Sequence, residues 1–106
     1  MRFFIREFED KNGRSPFAKW AEKLDDVTFG RIQTELRKLE HGNFSNVKAL
    51  GSGVFELPVH TGPGYRIYFA QVGNAVVLLL GGGTKRRQQS DIDAAKRSWK
   101  AYRNRG

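Results

Sequence analysis

The sequence contains no cysteine. Disulfides, thiolate nucleophiles and thiolate metal sites are therefore excluded, and the composition suits a reducing, cytoplasmic setting. No apolar run approaches the ~20 residues that span a bilayer. The longest, AVVLLLGGG at residues 75–83, has the length of a strand. The opening MRFFIREFED is charged from its first residues and offers no signal-peptide apolar region, so no membrane partner is expected. Neither GxxxxGK[ST] nor GxGxxG occurs, which leaves ATP or NAD binding without support, and no residues have metal-ligand spacing. No cofactor is expected. Acidic residues are scarce: 11 Asp and Glu stand against 19 Lys and Arg, for a net charge of +8 and a pI near 10.2. That excess points to a polyanionic partner, whether RNA, DNA or an acidic protein.

The 106 residues fit one domain, long enough to bury a core without staples. RFFIREF at 2–8 has strand composition, and DKNGR at 10–14 reads as a turn. Ser15-Pro16 has the form of an N-cap followed by proline at the first helical position. Phe17, Trp20, Ala21 and Leu24 then recur at helical spacing, predicting a helix over 16–24 that Asp25-Asp26 breaks. A second helix is predicted over 28–40, with Phe29, Ile32, Leu36 and Leu39 on one stripe and Gly42 in the left-handed position past its end. Segments 54–60 and 65–72 alternate with strand period. Segment 74–82 is apolar on both faces, as in a central strand. Val72-Gly73-Asn74-Ala75 supplies a tight turn, so the three form a β-meander. The tail returns to helical spacing at Ile92, Ala95, Trp99 and Tyr102, with Ser90 and Asp93 at capping-box separation. The fold class is α+β: an antiparallel sheet of the N-terminal strand and the meander, with a helical hairpin before the meander and one helix after it.

The stretch HTGPGYRIYF places Arg66 inside an apolar strand. Pairing that gives Phe55, Leu57, Val59, Ile67 and Phe69 one helix-covered face leaves Glu56, Pro58, His60, Arg66 and Tyr68 on the other. Arg66 then projects from a rigid sheet, where a binding group is held in place. The bland alternative is a cross-strand salt bridge to Glu56. The third meander strand runs into GGGTKRRQQSD. Glycines, then Lys85, Arg86 and Arg87, then a helix N-terminus make an anion site near the Arg66 face. His60 reads as a turn-end histidine with a lesser claim to catalysis, and His41 as a helix C-terminal cation with no function. Trp20, Trp99 and Tyr102 sit on apolar stripes and read as core. Tyr68, on the charged face, is the better base-stacking candidate. Lys96, Arg97, Lys100, Arg103 and Arg105 make the outer face of the last helix basic.

In LEHGNF, VKALGSGVFEL, GPGYRIYF and LLLGGGTKRRQQSDIDAA, together with the helical hairpin, the chain resembles the RelE/ParE superfamily of bacterial toxins. The closest likeness is to the addiction-module killer proteins, the phage-derived or plasmid-maintenance toxins. The resemblance runs from about Phe17 to Tyr102 and implies a RelE-like fold. It also implies a toxin of a type II toxin–antitoxin module, neutralised by a cognate antitoxin encoded beside it, of helix-turn-helix type. In the RelE-like branch the toxin enters the ribosome and cleaves mRNA without metal, the 2′-hydroxyl attacking the adjacent phosphate. The family's strand arginine matches Arg66, which would stabilise the phosphate in the transition state. Lys85 and Arg86 match its basic segment and would hold the RNA backbone or assist the leaving group. His60, Glu56 and Lys85 are acid–base candidates by position. Tyr68, Arg87, Lys48, Lys96 and Lys100 are candidate RNA contacts. Two departures stand out: Pro58 replaces a basic residue beside Arg66, and Ile92 lies nearest the position of a tyrosine in some RelE-like enzymes. They favour the alternative, a ParE-like gyrase inhibitor or a degenerate toxin that only binds antitoxin and nucleic acid. Proline also predicts that strand 54–60 is an edge, or bulged, at that point.

Overall fold

In the computed structural model, which describes residues 2–105, strand β1 (Phe4–Glu7) is followed by helices α1 (Pro16–Ala21) and α2 (Asp26–Glu40). A two-residue strand β2 (Lys48–Ala49) precedes β3 (Phe55–Val59), β4 (Tyr65–Val72) and β5 (Val76–Thr84). A 3-10 turn (Lys85–Arg87) then leads into helix α3 (Gln88–Arg103). The sheet order is β1-β5-β4-β3-β2. The doubly apolar run thus lies inside the sheet, between β1 and β4. Val77 and Leu79 enter one core and Leu78 and Leu80 the other.

The class is α+β, but the sheet is mixed rather than antiparallel. β1 pairs with β5 in parallel, Phe4 with Val76 through Glu7 with Leu79, while the other pairings are antiparallel. Alternation of apolar residues is the same for either direction. Direction comes from the connection, and here two helices and three strands intervene before the chain returns beside β1. β2 was not foreseen, since two residues carry no period.

The helix starts follow local chemistry. Ser15 Oγ accepts the Ala18 N–H at 3.0 Å, with Pro16 at the first helical position. Asp25 Oδ1 accepts the Thr28 N–H at 2.7 Å, which holds its carboxyl below the usual range. Gly42, at φ 85°, ends α2; its N–H reaches Leu39 O, and that of Asn43 reaches Lys38 O. α1 stops at Ala21, and hydrogen bonds from Lys23 to Trp20 and from Leu24 to Ala21 carry residues 22–24 through turns. α2 begins at Asp26, because the Asp25 side chain caps it there. Phe29 does not join the buried stripe. It is 36% exposed, whereas Ile32 and Leu39 are fully buried. The Ser90–Asp93 capping box does not form. α3 starts at Gln88 directly out of the 3-10 turn, so Ser90 lies within its first turn and Asp93 instead accepts from Gln89.

Helices cover both faces of the sheet. Phe17, Ile32, Leu39, Leu57, Ile67 and Phe69 form one core against α1 and α2. Phe8, Val54, Tyr68, Ala70, Leu78 and Leu80 form the second beneath Ile92 and Ala95 of α3, and Trp99 and Tyr102 pack onto it. Trp20 packs on the first. A register shift between Tyr68 and Phe69 leaves Leu80 as the extra residue of a β-bulge, on the α3 side with Leu78. Two glycines beyond the bulge admit close neighbours. A methyl group at Gly82 would collide with the Trp20 ring, and one at Gly83 with the Asp91 carboxylate.

Gly82→Ala is expected to destabilise the protein by about 1–3 kcal/mol through overpacking. Urea denaturation measures this. In a Trp20→Leu background the same change should cost less than it does in the wild type, because the ring that meets the methyl is gone.

Candidate functional site

The β3–β4 register pairs Glu56 with Tyr68 and Pro58 with Arg66, and β4 sets Arg66 opposite Gly83 of β5. Even-numbered residues of β3 and β4 therefore share one face, as the alternation requires. That face is not open: the first turns of α3 lie over it. Arg66 Nε stands 3.4 Å from Glu56 Oε1, and Gln88 Nε2 donates to the same oxygen at 3.0 Å. The Glu56 carboxylate is buried, and the cation with this hydrogen bond compensates its lost hydration. The Arg66 side chain keeps 16% of its surface exposed, while its Nε is buried without a hydrogen-bond partner among the described residues. The cross-strand ion pair is formed, whereas the expected open projection from the sheet is not seen. Arg66 lies at the rim of α3 rather than standing free on a bare sheet.

Tyr68 departs further from expectation. It is wholly buried in the second core and offers no ring face to a base. Burial pushes its phenol up to about 12, with the Glu56 and Asp91 carboxylates adding to the effect and Arg66 opposing it. Its hydroxyl has no hydrogen-bond partner among the described residues. Glu56, buried and engaged by Arg66 and Gln88, is in no position to take a proton from an outside substrate.

The glycine turn before β4 and the basic turn after β5 meet at one end of the sheet. Tyr65 pairs with Thr84, and the Lys85 N–H donates to Gly64 O at 3.3 Å. Lys85, Arg86 and Arg87 are exposed there, directly after the residue that follows the cross-strand partner of Arg66. Lys48 is exposed on β2 and pairs with Glu56; Lys100 is exposed on α3 and Lys96 half-buried. His60 is exposed but is not gathered with Arg66. It lines a groove with Arg31, Glu35 and Lys38 of α2. Pro58 is tolerated because β2 pairs only with Phe55 and Glu56, so β3 is an edge at the proline and its missing donor is not needed.

The residue that alternation could not reveal is Asp91. It sits in the first turn of α3 with its carboxylate seated on Gly83. Burial raises its pKa above the usual carboxylate range, and Arg87 pulls the other way. The available signal was side-chain-free backbone placed directly before a helix, which leaves room for a carboxylate from the first turn. Together these groups place a mostly buried guanidinium, paired with Glu56, at the same sheet end as an exposed cationic turn. Among the described residues no helix is long and apolar enough to cross a membrane.

No family model matches the chain. An uncharacterized protein of Haemophilus influenzae (strain ATCC 51907 / DSM 11121 / KW20 / Rd) is 37% identical over 81 residues, which cover 76% of this chain and 82% of that protein. The chain belongs to one family with it.

Tyr68→Phe should leave stability at pH 7 unchanged or raise it by up to about 1 kcal/mol, since it removes an unpartnered buried hydroxyl. The difference widens on the alkaline side. The folded phenol titrates at about 12 against an ordinary 10.0, so its neutral form favours folding below pH 10, and that contribution falls as pH rises toward 12. Wild type should therefore lose stability more steeply than Tyr68→Phe across this window. Glu56→Ala, by contrast, strips the buried Arg66 Nε of its counter-charge and should cost about 3 kcal/mol.

Proposed function

We propose that this chain, and the family it forms with the Haemophilus protein, is the toxin component of a type II toxin–antitoxin module. In this reading it acts in the cytoplasm as a ribosome-dependent mRNA endoribonuclease, held inactive by a cognate antitoxin. The observation that carries the reading is Arg66 fixed by Glu56 at the same sheet end as the exposed cations Lys85, Arg86 and Arg87. A phosphodiester drawn to the basic turn would meet a guanidinium that needs no reorganisation. The 2′-hydroxyl attacks the adjacent phosphorus, a 2′,3′-cyclic phosphate forms, and the bond to the 5′-oxygen breaks. Arg66 neutralises charge on the phosphoryl oxygens as they crowd. Lys85 and Arg86 hold the flanking backbone, Lys85 supplies the proton that the departing 5′-oxygen takes up, and solvent water accepts the proton of the 2′-hydroxyl. Glu56 is a positioning residue in this scheme, since it touches Arg66 and no substrate.

One observation favours the second reading, a toxin that binds gyrase or merely binds its antitoxin and nucleic acid. Glu56 is buried and His60 faces α2, so neither of these two acid–base candidates stands free beside Arg66 to take the proton of the 2′-hydroxyl. Pro58 and the buried Ile92 add to it.

Cell-free translation of a defined mRNA with purified protein, mapped by primer extension, separates the two. The nuclease reading expects cuts inside translated codons that require ribosomes. Arg66→Ala should reduce them by about 10²–10³-fold while circular dichroism shows it folded. Absence of cuts from a wild-type protein that still arrests growth would overturn it in favour of the binding reading. Replacing Lys85 and Arg86 with alanine should weaken RNA association and lower the slope of log K against log salt by about 1.4, as expected for two lost phosphate contacts on a single strand.

A further inference from the structure

β5 outruns its neighbour. The parallel ladder ends where Glu7 pairs with Leu79, and the Phe8 N–H makes a last hydrogen bond to Leu79 O at 2.8 Å. Over residues 80–84 the strand is paired with β4 on one side alone. Among the described residues no backbone hydrogen bond reaches its other side. Half of the N–H and C=O groups in this segment therefore point away from the sheet, in the alternating pattern that a further strand would satisfy.

Exposed edges of this kind are hazards that folds usually cover or distort. Here the flanking helices bury Leu80 and Gly83 on their faces, but among the described residues the lateral edge carries no further strand and no charged side chain. It forms the floor of a groove of about 380 Å³. α1 makes one wall, with Trp20 seated on Gly82, and α3 makes the other, with Asp91 seated on Gly83. Gly81, Gly82 and Gly83 put no side chain between the edge and an approaching backbone. Ala94 and Ser98 keep the α3 wall low. Lys19, Lys23 and Arg87 stand exposed around the opening, and Asp91 is the single carboxylate in the lining.

We infer that the open β5 edge takes an extended, acidic segment of a partner protein as an added strand. The exposed edge spans about five residues, or roughly 16 Å at the rise of a strand, so the segment is short. Main-chain hydrogen bonds supply affinity in this mode, and the three cations select for Asp and Glu. A nucleic-acid strand fits less well. Its phosphates could use the cations and the outward N–H groups, but would meet the outward carbonyls and Asp91 as repulsive neighbours. The inference rests on main-chain groups of β5 that the nuclease reading does not use, with Arg87 alone shared between the two, and it stands whether or not the chain cuts RNA.

The test presents the whole chain to a display library of random linear peptides. The recovered peptides are synthesised and added to isotope-labelled protein, and amide exchange is followed by NMR. The expected peptides are rich in Asp and Glu and in β-formers. They slow exchange at alternate amides of residues 80–84, and Lys19→Glu with Lys23→Glu weakens their binding roughly tenfold. Both lysines are exposed, and the unliganded spectrum of the variant shows directly that the fold persists. Recovery without acidic enrichment would overturn the inference, as would binding that leaves these amides unchanged. An oligouridylate that protects them where the peptides do not would assign the edge to nucleic acid instead.

Discussion

The structure depends on the double burial of β5. A strand with apolar residues on both faces must be covered twice, and one helical layer cannot do that. The chain answers with α1 and α2 on one side and α3 on the other. Alternation keeps Leu80 on the α3 side with Leu78, and the bulge there shifts the faces of the residues beyond it, so that Gly82 meets Trp20 and Gly83 meets Asp91. The glycines that follow carry no burial of their own. Their space is taken by Trp20 from one layer and Asp91 from the other, so the same strand is a core element in its first half and a bare ribbon in its second.

The change along β5 explains where the charges sit. A carboxylate inside a helix-covered face is tolerated only when it is paired and hydrogen-bonded. Glu56 meets both conditions through Arg66 and Gln88. Arg66 is in turn fixed by the pair, with one nitrogen inward and part of the side chain at the surface. The basic turn begins where β5 leaves the sheet, so its three cations need no burial and remain exposed.

Much of this was legible in the sequence. Ser15-Pro16, Gly42 and the Gly73 turn act through neighbours close in the chain, and each does what its local chemistry dictates. The odd–even register of β3 and β4 was equally clear, because a slip of one residue would turn Phe69 and Ile67 outward. What failed to show was anything set by distant parts of the chain. The parallel direction of β1 follows from a long connection. The burial of Tyr68 follows from α3 covering a face that alternation alone marks as polar. The same helix hides Glu56 and brings in Asp91. Period two assigns a side chain to a face but carries no information on what will cover it.

That cover also links the two candidate regions. Gln88, which engages Glu56, and Asp91, which rests on Gly83, lie within one turn of α3. Gly83 is the cross-strand partner of Arg66. A strand added at the β5 edge would therefore lie about two strand spacings, roughly 10 Å, from the Arg66 strand, with a single glycine ribbon between them. It would also press on the wall formed by Asp91, whose first-turn neighbour Gln88 helps hold the Glu56–Arg66 pair. Filling the groove and using the guanidinium thus draw on the same few residues at the start of α3. A rigid scaffold on the β3 and β4 side leaves that helical turn as the place where the two sites can influence one another.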